Sequence, residues 1–178
     1  TVLSRGLGDV YKRQVISAEI HELKKIKGIG ESAVCHIKAV AESANSILKE
    51  KVKEKPVFDN YNNLIDYLRA NMGGQKNEQF KILFLDSSNK LIGDHHSNAG
   101  TVNKINIYVR EVVKKAIEYS ASSIILAHNH PSGDANPSSS DIKITQDLIS
   151  ACKVMDIIMH DHIITVSYTH LRAHETRP

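Results

Sequence analysis

The chain has 178 residues, 41% of them hydrophobic and 24% charged, with a formal net charge of +3. That composition suits one domain, or one domain with a small appendage, and gives disorder no default claim, while the charge argues for nucleic-acid binding only if it gathers on one face. Its two cysteines, Cys35 and Cys152, form no CxxC knuckle and read as buried thiols. With no run near ~18 apolar residues and no signal-peptide core, the expectation is a cytoplasmic protein without a membrane span.

Residues 1–14 (TVLSRGLGDVYKRQ) and 166–178 (VSYTHLRAHETRP) lack helix or strand periodicity. Both resemble translated adapter sequence, so they are set aside as non-native tails, and His170 and His174 are kept out of metal arguments. From Ser17, a candidate N-cap, Ile20, Leu23 and Ile26 follow at helical spacing up to Gly28-Ile29-Gly30. A longer helix over about 31–50 carries Ala33, Ile37, Val40, Ala41, Ala44, Ile47 and Leu48 on one stripe. The string ELKKIKGIGESAVCHIKAV resembles the helix-hairpin-helix motif of DNA-binding proteins. Gly28 and Gly30 would let backbone N–H groups approach a phosphate, with Lys24, Lys25 and Lys27 beside them. A plain helical hairpin reads equally well: residues 15–55 hold eight Lys against six Glu, and one hairpin offers few phosphate contacts.

The charge run Lys49 to Lys55 with Pro56 predicts a linker, placed at 51–58 between a 15–50 hairpin region and a 59–165 domain. A short helix is expected over 60–70, carrying Leu64, Ile65 and Leu68. Strands are expected over 78–86 and 90–94, joined as a hairpin by Ser87-Ser88-Asn89. His95 and His96 are adjacent and so point to opposite faces of a strand, against joint ligation. A helix over about 105–119 should bury Val109, Val112, Val113, Ala116 and Ile117. The apolar run 122–127 reads as a strand buried on both faces. A helix from Ser138 or Ser139 to about Cys152 turns Ile142, Leu148, Ile149 and Cys152 inward, and a last strand spans 155–165. The class is α/β or α+β with a mixed sheet.

The densest chemistry is Ile124 to Asp141, IILAHNHPSGDANPSSSD. On an extended backbone His128 and His130 share a side, and two turns can bring Asp141, in the first turn of a helix, back over the strand end. Two nitrogens and one carboxylate leave a fourth position open, as in a catalytic zinc site; iron, manganese and cobalt also suit the donors. Ser138-x-x-Asp141 is at the same time a capping-box pattern.

H-x-H-x7-S-x-x-D resembles the JAMM (MPN+) metallo-isopeptidase signature. HNHPSGDANPSSSD, with GTVNK before it and DHII after it, is similar to the RadC family over nearly the whole of 17–165. The resemblance implies a JAMM, cytidine deaminase-like α/β fold: a mixed sheet flanked by helices and preceded by a helical hairpin. It implies one Zn2+ per chain on His128, His130 and Asp141, and Ser138 helping to hold an oxyanion. It assigns the proton-carrying glutamate to Glu78, whose own sequence context is that of an ordinary exposed carboxylate; Glu111 and Glu118 are the other candidates. Asp161 and His162 either orient a ligand or simply end a strand. The implied activity is hydrolysis of a peptide or isopeptide bond in an unknown protein substrate by a metal-activated water, with Glu78 carrying the proton. The other reading is a DNA repair-associated protein that contacts DNA through the hairpin and uses the domain as a non-catalytic platform. Nucleobase deamination would need H-x-E and P-C-x-x-C, and neither is present.

Overall fold

The computed structural model describes residues 12, 14–97, 107–166 and 174–176, the last three by backbone alone. The 98–106 segment, which includes GTVNK, and most of both tails lie outside the described residues. The chain divides into two compact units, Thr1–Leu48 and Lys49–Pro178.

In the first unit, residues 14–17 are helical, and α1 (Ile20–Leu23) is a single turn. Its cap is Glu19, not Ser17: the Glu19 N–H donates to the Glu22 carboxylate at 3.2 Å. Gly28 has φ +91°, a conformation that suits glycine alone, so the tight turn falls where the sequence puts it. α2 (Glu31–Lys53) follows. Leu23 and Val34 are buried, and the Lys38 ammonium donates to the Ala18 carbonyl at 2.6 Å. Cys35 is exposed, against the expectation of two buried thiols, whereas Cys152 is fully buried.

The predicted linker is not one. α2 runs on to Lys53, and a 3-10 turn occupies Val57–Asn60. Val52 and Val57 are both fully buried. Charged residues dominate the run because they face water; two valines suffice to anchor it.

α3 (Tyr61–Met72) buries Leu64, Ile65, Tyr67, Leu68 and Met72. β1 (Phe80–Leu85) is buried along its whole length. β2 (Leu91–Ser97) runs three residues beyond the expected end and takes in His95 and His96. α4 (Val109–Glu118), β3 (Ser123–His130), α5 (Ser139–Val154), β4 (Ile158–Val166) and β5 (His174–Thr176) complete the unit. The sheet order is β2-β1-β3-β4-β5, with β3 and β4 parallel and the other pairs antiparallel. α5 is the crossover between the parallel strands, the connection such a pair requires.

Alternation along the strands sorts the two faces. Phe80, Ile82 and Phe84 of β1 and Ile124 and Leu126 of β3 pack with Val112 and Ala116 of α4 and with Leu148 and Cys152 of α5. Burying each of the larger apolar side chains among them contributes roughly 1.5–3 kcal/mol. The opposite face carries Lys81, whose ammonium reaches the Tyr67 hydroxyl of α3 at 2.8 Å. In this unit two expected core positions fail: Ile117 is 52% exposed and Ile142 is 48% exposed. Both lie at the margin of their helices' apolar stripe, where a periodic count cannot tell core from rim. Among the described residues no helix is long and apolar enough to cross a membrane. The result is a mixed α/β domain, its sheet flanked by helices and preceded by N-terminal helices.

Candidate metal centre

β3 carries both histidines inside the strand rather than just past it, so period-two alternation turns His128 and His130 to the face covered by α4 and α5. His128 is fully buried, and its Nε2 lies 2.7 Å from the His130 Nε2. Phe80, directly opposite His128 on β1, stacks on its ring at 4.7 Å between centroids.

The turns after β3 return the chain so that Ser138 caps α5 and Asp141 occupies the third helical position. Asp141 Oδ2 accepts the Ser138 N–H at 2.7 Å and the Ser138 hydroxyl at 2.6 Å. Oδ1 lies 3.4 Å from the His128 Nε2, and Oδ2 lies 3.5 Å from the His130 Nε2. The capping-box reading of S-x-x-D holds, and the same carboxylate that caps the helix also faces the two imidazoles. Burial works to raise the Asp141 carboxyl, while the Ser138 N–H and hydroxyl bond its ionised form, and the group stands well below the usual carboxylate range.

Glu78 joins from the loop just before β1. Extending the β1–β3 register two residues past Phe80↔His128 sets Glu78 opposite His130, on the same face. Its Oε1 lies 3.8 Å from the His128 Nε2, and the side chain is 42% exposed. One ligand atom each from Glu78, His128, His130 and Asp141 lies within 4.8 Å of the others.

The outer nitrogens settle where the protons are. His130 Nδ1 sits 2.6 Å from the Asp134 carbonyl, which only accepts, so Nδ1 carries the proton and a neutral His130 has a bare Nε2. The Thr145 hydroxyl donates to the Asp141 backbone carbonyl at 2.6 Å, so its oxygen accepts from His162 Nδ1 at 2.7 Å. His162 Nε2 is then bare and accepts from His128 Nδ1 at 2.8 Å. That leaves the His128 Nε2 bare as well. Burial pushes His162 down to about 3 and keeps it neutral. Two lone pairs and a carboxylate thus converge without protons to separate them, an arrangement complementary to a cation.

The other candidates stay apart. Glu111 pairs with Arg110 and Glu118 with Lys115, both as surface charge. His95 and His96 lie on β2, outside the group. Asp161 accepts the His162 N–H at 2.7 Å and does not reach the cluster of ligand atoms. His162 is thus the member of DHII that touches a candidate ligand. Thr145 and Asn129 went unread in the sequence; their signals were the i+4 spacing from Asp141 and the central place in H-x-H. In the first unit Lys24 is drawn to Glu31, 2.8 Å away, leaving exposed Lys25 and Lys27 beside the Gly28 turn.

Residues 58–176 match the family described as RadC-like JAB domain. A UPF0758 protein of Ruegeria pomeroyi is 39% identical over 164 residues, covering 91% of this chain and 73% of the relative. A UPF0758 protein of Rhodobacter capsulatus is also 39% identical over 164 residues, covering 91% of this chain and 77% of that relative. The donor group fits a JAMM-type metallohydrolase, and the match spans all four donor residues: this chain belongs to the RadC family.

Proposed function

We propose that the chain is a zinc-dependent hydrolase of peptide or isopeptide bonds. The observation that carries this reading is the convergence of the bare His128 and His130 Nε2 atoms and the Asp141 carboxylate beside a half-exposed Glu78. His128, His130 and Asp141 would hold the ion. A zinc ion there supplies a Lewis acid that acidifies water and polarises a carbonyl. Glu78 Oε1, within reach of solvent, takes the proton of the attacking water and passes it to the leaving amine. Ser138, at the lip of the group, exchanges its bond to Asp141 for one to the developing oxyanion. Phe80, stacked on His128, keeps water from the inner side of the ring.

The test combines metal content with turnover. Protein equilibrated with zinc and dialysed should retain about one equivalent, as one three-ligand site demands. His128→Ala should retain almost none. Glu78→Gln should retain the metal and lose roughly 10²–10⁴-fold in turnover of a fluorogenic lysine-isopeptide probe or a peptide mixture read by mass spectrometry. Wild-type protein that holds under about a tenth of an equivalent of any transition metal would sink the proposal.

The exposed Gly28 turn with Lys25 and Lys27 supports a second reading, a DNA repair-associated platform. Salt-sensitive DNA binding that is lost in a K24A/K25A/K27A variant and untouched by H128A would favour it.

A further inference from the structure

Between the two histidines stands Asn129, 2% exposed, its side chain leaving β3 on the face opposite theirs. Its carboxamide is fully used. Oδ1 accepts the Gln79 N–H at 2.8 Å. Nδ2 donates to the Asn77 carbonyl at 3.0 Å and to the Gln75 carbonyl at 3.4 Å. The Asn129 N–H adds a backbone bond to the Gln79 carbonyl at 3.3 Å. These bonds grip residues 77 and 79, the two neighbours of Glu78.

The geometry explains why an amide stands there. β1 begins at Phe80, so 75–79 lies beyond the strand proper. One planar group must offer an acceptor to an N–H and donors to two carbonyls. A carboxylate of the same size keeps the acceptor but opposes the carbonyls, and a hydroxyl is too short to span the loop. With 77 and 79 held from the far face, the β1–β3 register extends outward and turns Glu78 toward His128 and His130.

We propose that Asn129 is a positioning residue that locks the 75–79 loop onto β3 and so sets the Glu78 carboxylate beside the histidine pair. The functional half rests on the reading of Glu78 as the proton carrier. The structural half does not, and the two are tested separately.

Asn129→Ala and the milder Asn129→Ser are compared with Glu78→Gln and with the double variant E78Q/N129A, all in the full chain. Amide exchange followed by NMR should speed up at Glu78 and Gln79 by about tenfold or more in both Asn129 variants, while the amides of Ile82 to Leu85 keep their rates. Zinc affinity, titrated directly, should stay within about threefold of wild type, because none of its three ligands is touched. Turnover of the isopeptide probe should fall through kcat, and E78Q/N129A should be no slower than E78Q, the signature of a residue acting through Glu78. A merely structural role would make the double variant slower still. Unchanged exchange at Glu78 and Gln79 in both variants would overturn the clamp, as would a loss of zinc affinity in step with turnover. If E78Q itself turns over like wild type, the role of Glu78 falls, and the amide rates alone decide the clamp.

Discussion

A neutral imidazole has two nitrogens and one proton, so the nitrogen that can face a cation is decided by what the other one touches. For His128 that decision comes from a chain of three hydrogen bonds closing on Asp141, whose carbonyl orders Thr145, which orders His162, which orders His128. The helix that presents the carboxylate donor thereby also sets the tautomer of the buried nitrogen donor. His162→Ala should weaken zinc binding by roughly 10–100-fold, in line with other partners of metal-bound histidines. His162→Gln, whose amide oxygen can stand near the lost Nε2, should recover most of it. Competition against a chromophoric chelator measures both. An H162A protein that binds zinc as tightly as wild type would show that the ring of His128 needs no such partner.

On the opposite face of the sheet, β1, β2, α3 and the end of α2 are stitched by charge. Lys81, 1% exposed, places its ammonium 2.7 Å from Asp94 Oδ2, and the Tyr67 hydroxyl donates to the same oxygen at 2.9 Å. Lys49 pairs with the other carboxylate oxygen. Burial works to raise the Asp94 carboxyl, but the bonds from Lys49 and Lys81 outweigh it and hold the group well below its ordinary range. A carboxyl lowered by folding adds stability that is complete above the unfolded value, about 3.9, and lost as pH falls through it toward the folded value. Asp94→Asn should therefore cost about 3–5 kcal/mol near neutrality, because Lys81 keeps its charge without its counter-ion. It should also flatten the decline of stability below about pH 4. Urea midpoints measured across that range check both, and an unchanged acid slope in D94N would count against the assignment. None of this network was legible in FKILFLD, where one Lys among apolar residues looks like an exposed alternate. The strands and helices themselves were legible, because their apolar periods are local. H-x-H and S-x-x-D were legible for the same reason, each being set within one element and its cap. What stayed hidden depends on pairing between distant segments: the register that brings Glu78 to His130, the clamp of Asn129 on 75–79, and the two valines that turn a charge run into anchored helix.

At the scale of the whole molecule, all four donors lie within Lys49–Pro178, one of the two compact units. A ligand that binds only the folded state stabilises it by mass action, about 2.7 kcal/mol at a hundredfold excess over Kd. β3 and the first turn of α5 carry the three residues that would hold the ion, so opening either would release it. Zinc should therefore slow amide exchange across those elements and raise the melting temperature by several degrees, roughly 2–4 °C per kcal/mol for a chain of this size. Neither effect should survive His128→Ala. The amides of residues 31–48, in the other unit, supply the internal control. If they open independently of the sheet, their rates in zinc match those without it, and the ion reports on one unit alone. If they slow in step with β3, the two units open as one cooperative block, and the contact-based division does not mark a boundary in stability. Following both sets of amides in one sample, with zinc and then with a chelator, separates these outcomes without removing any part of the chain.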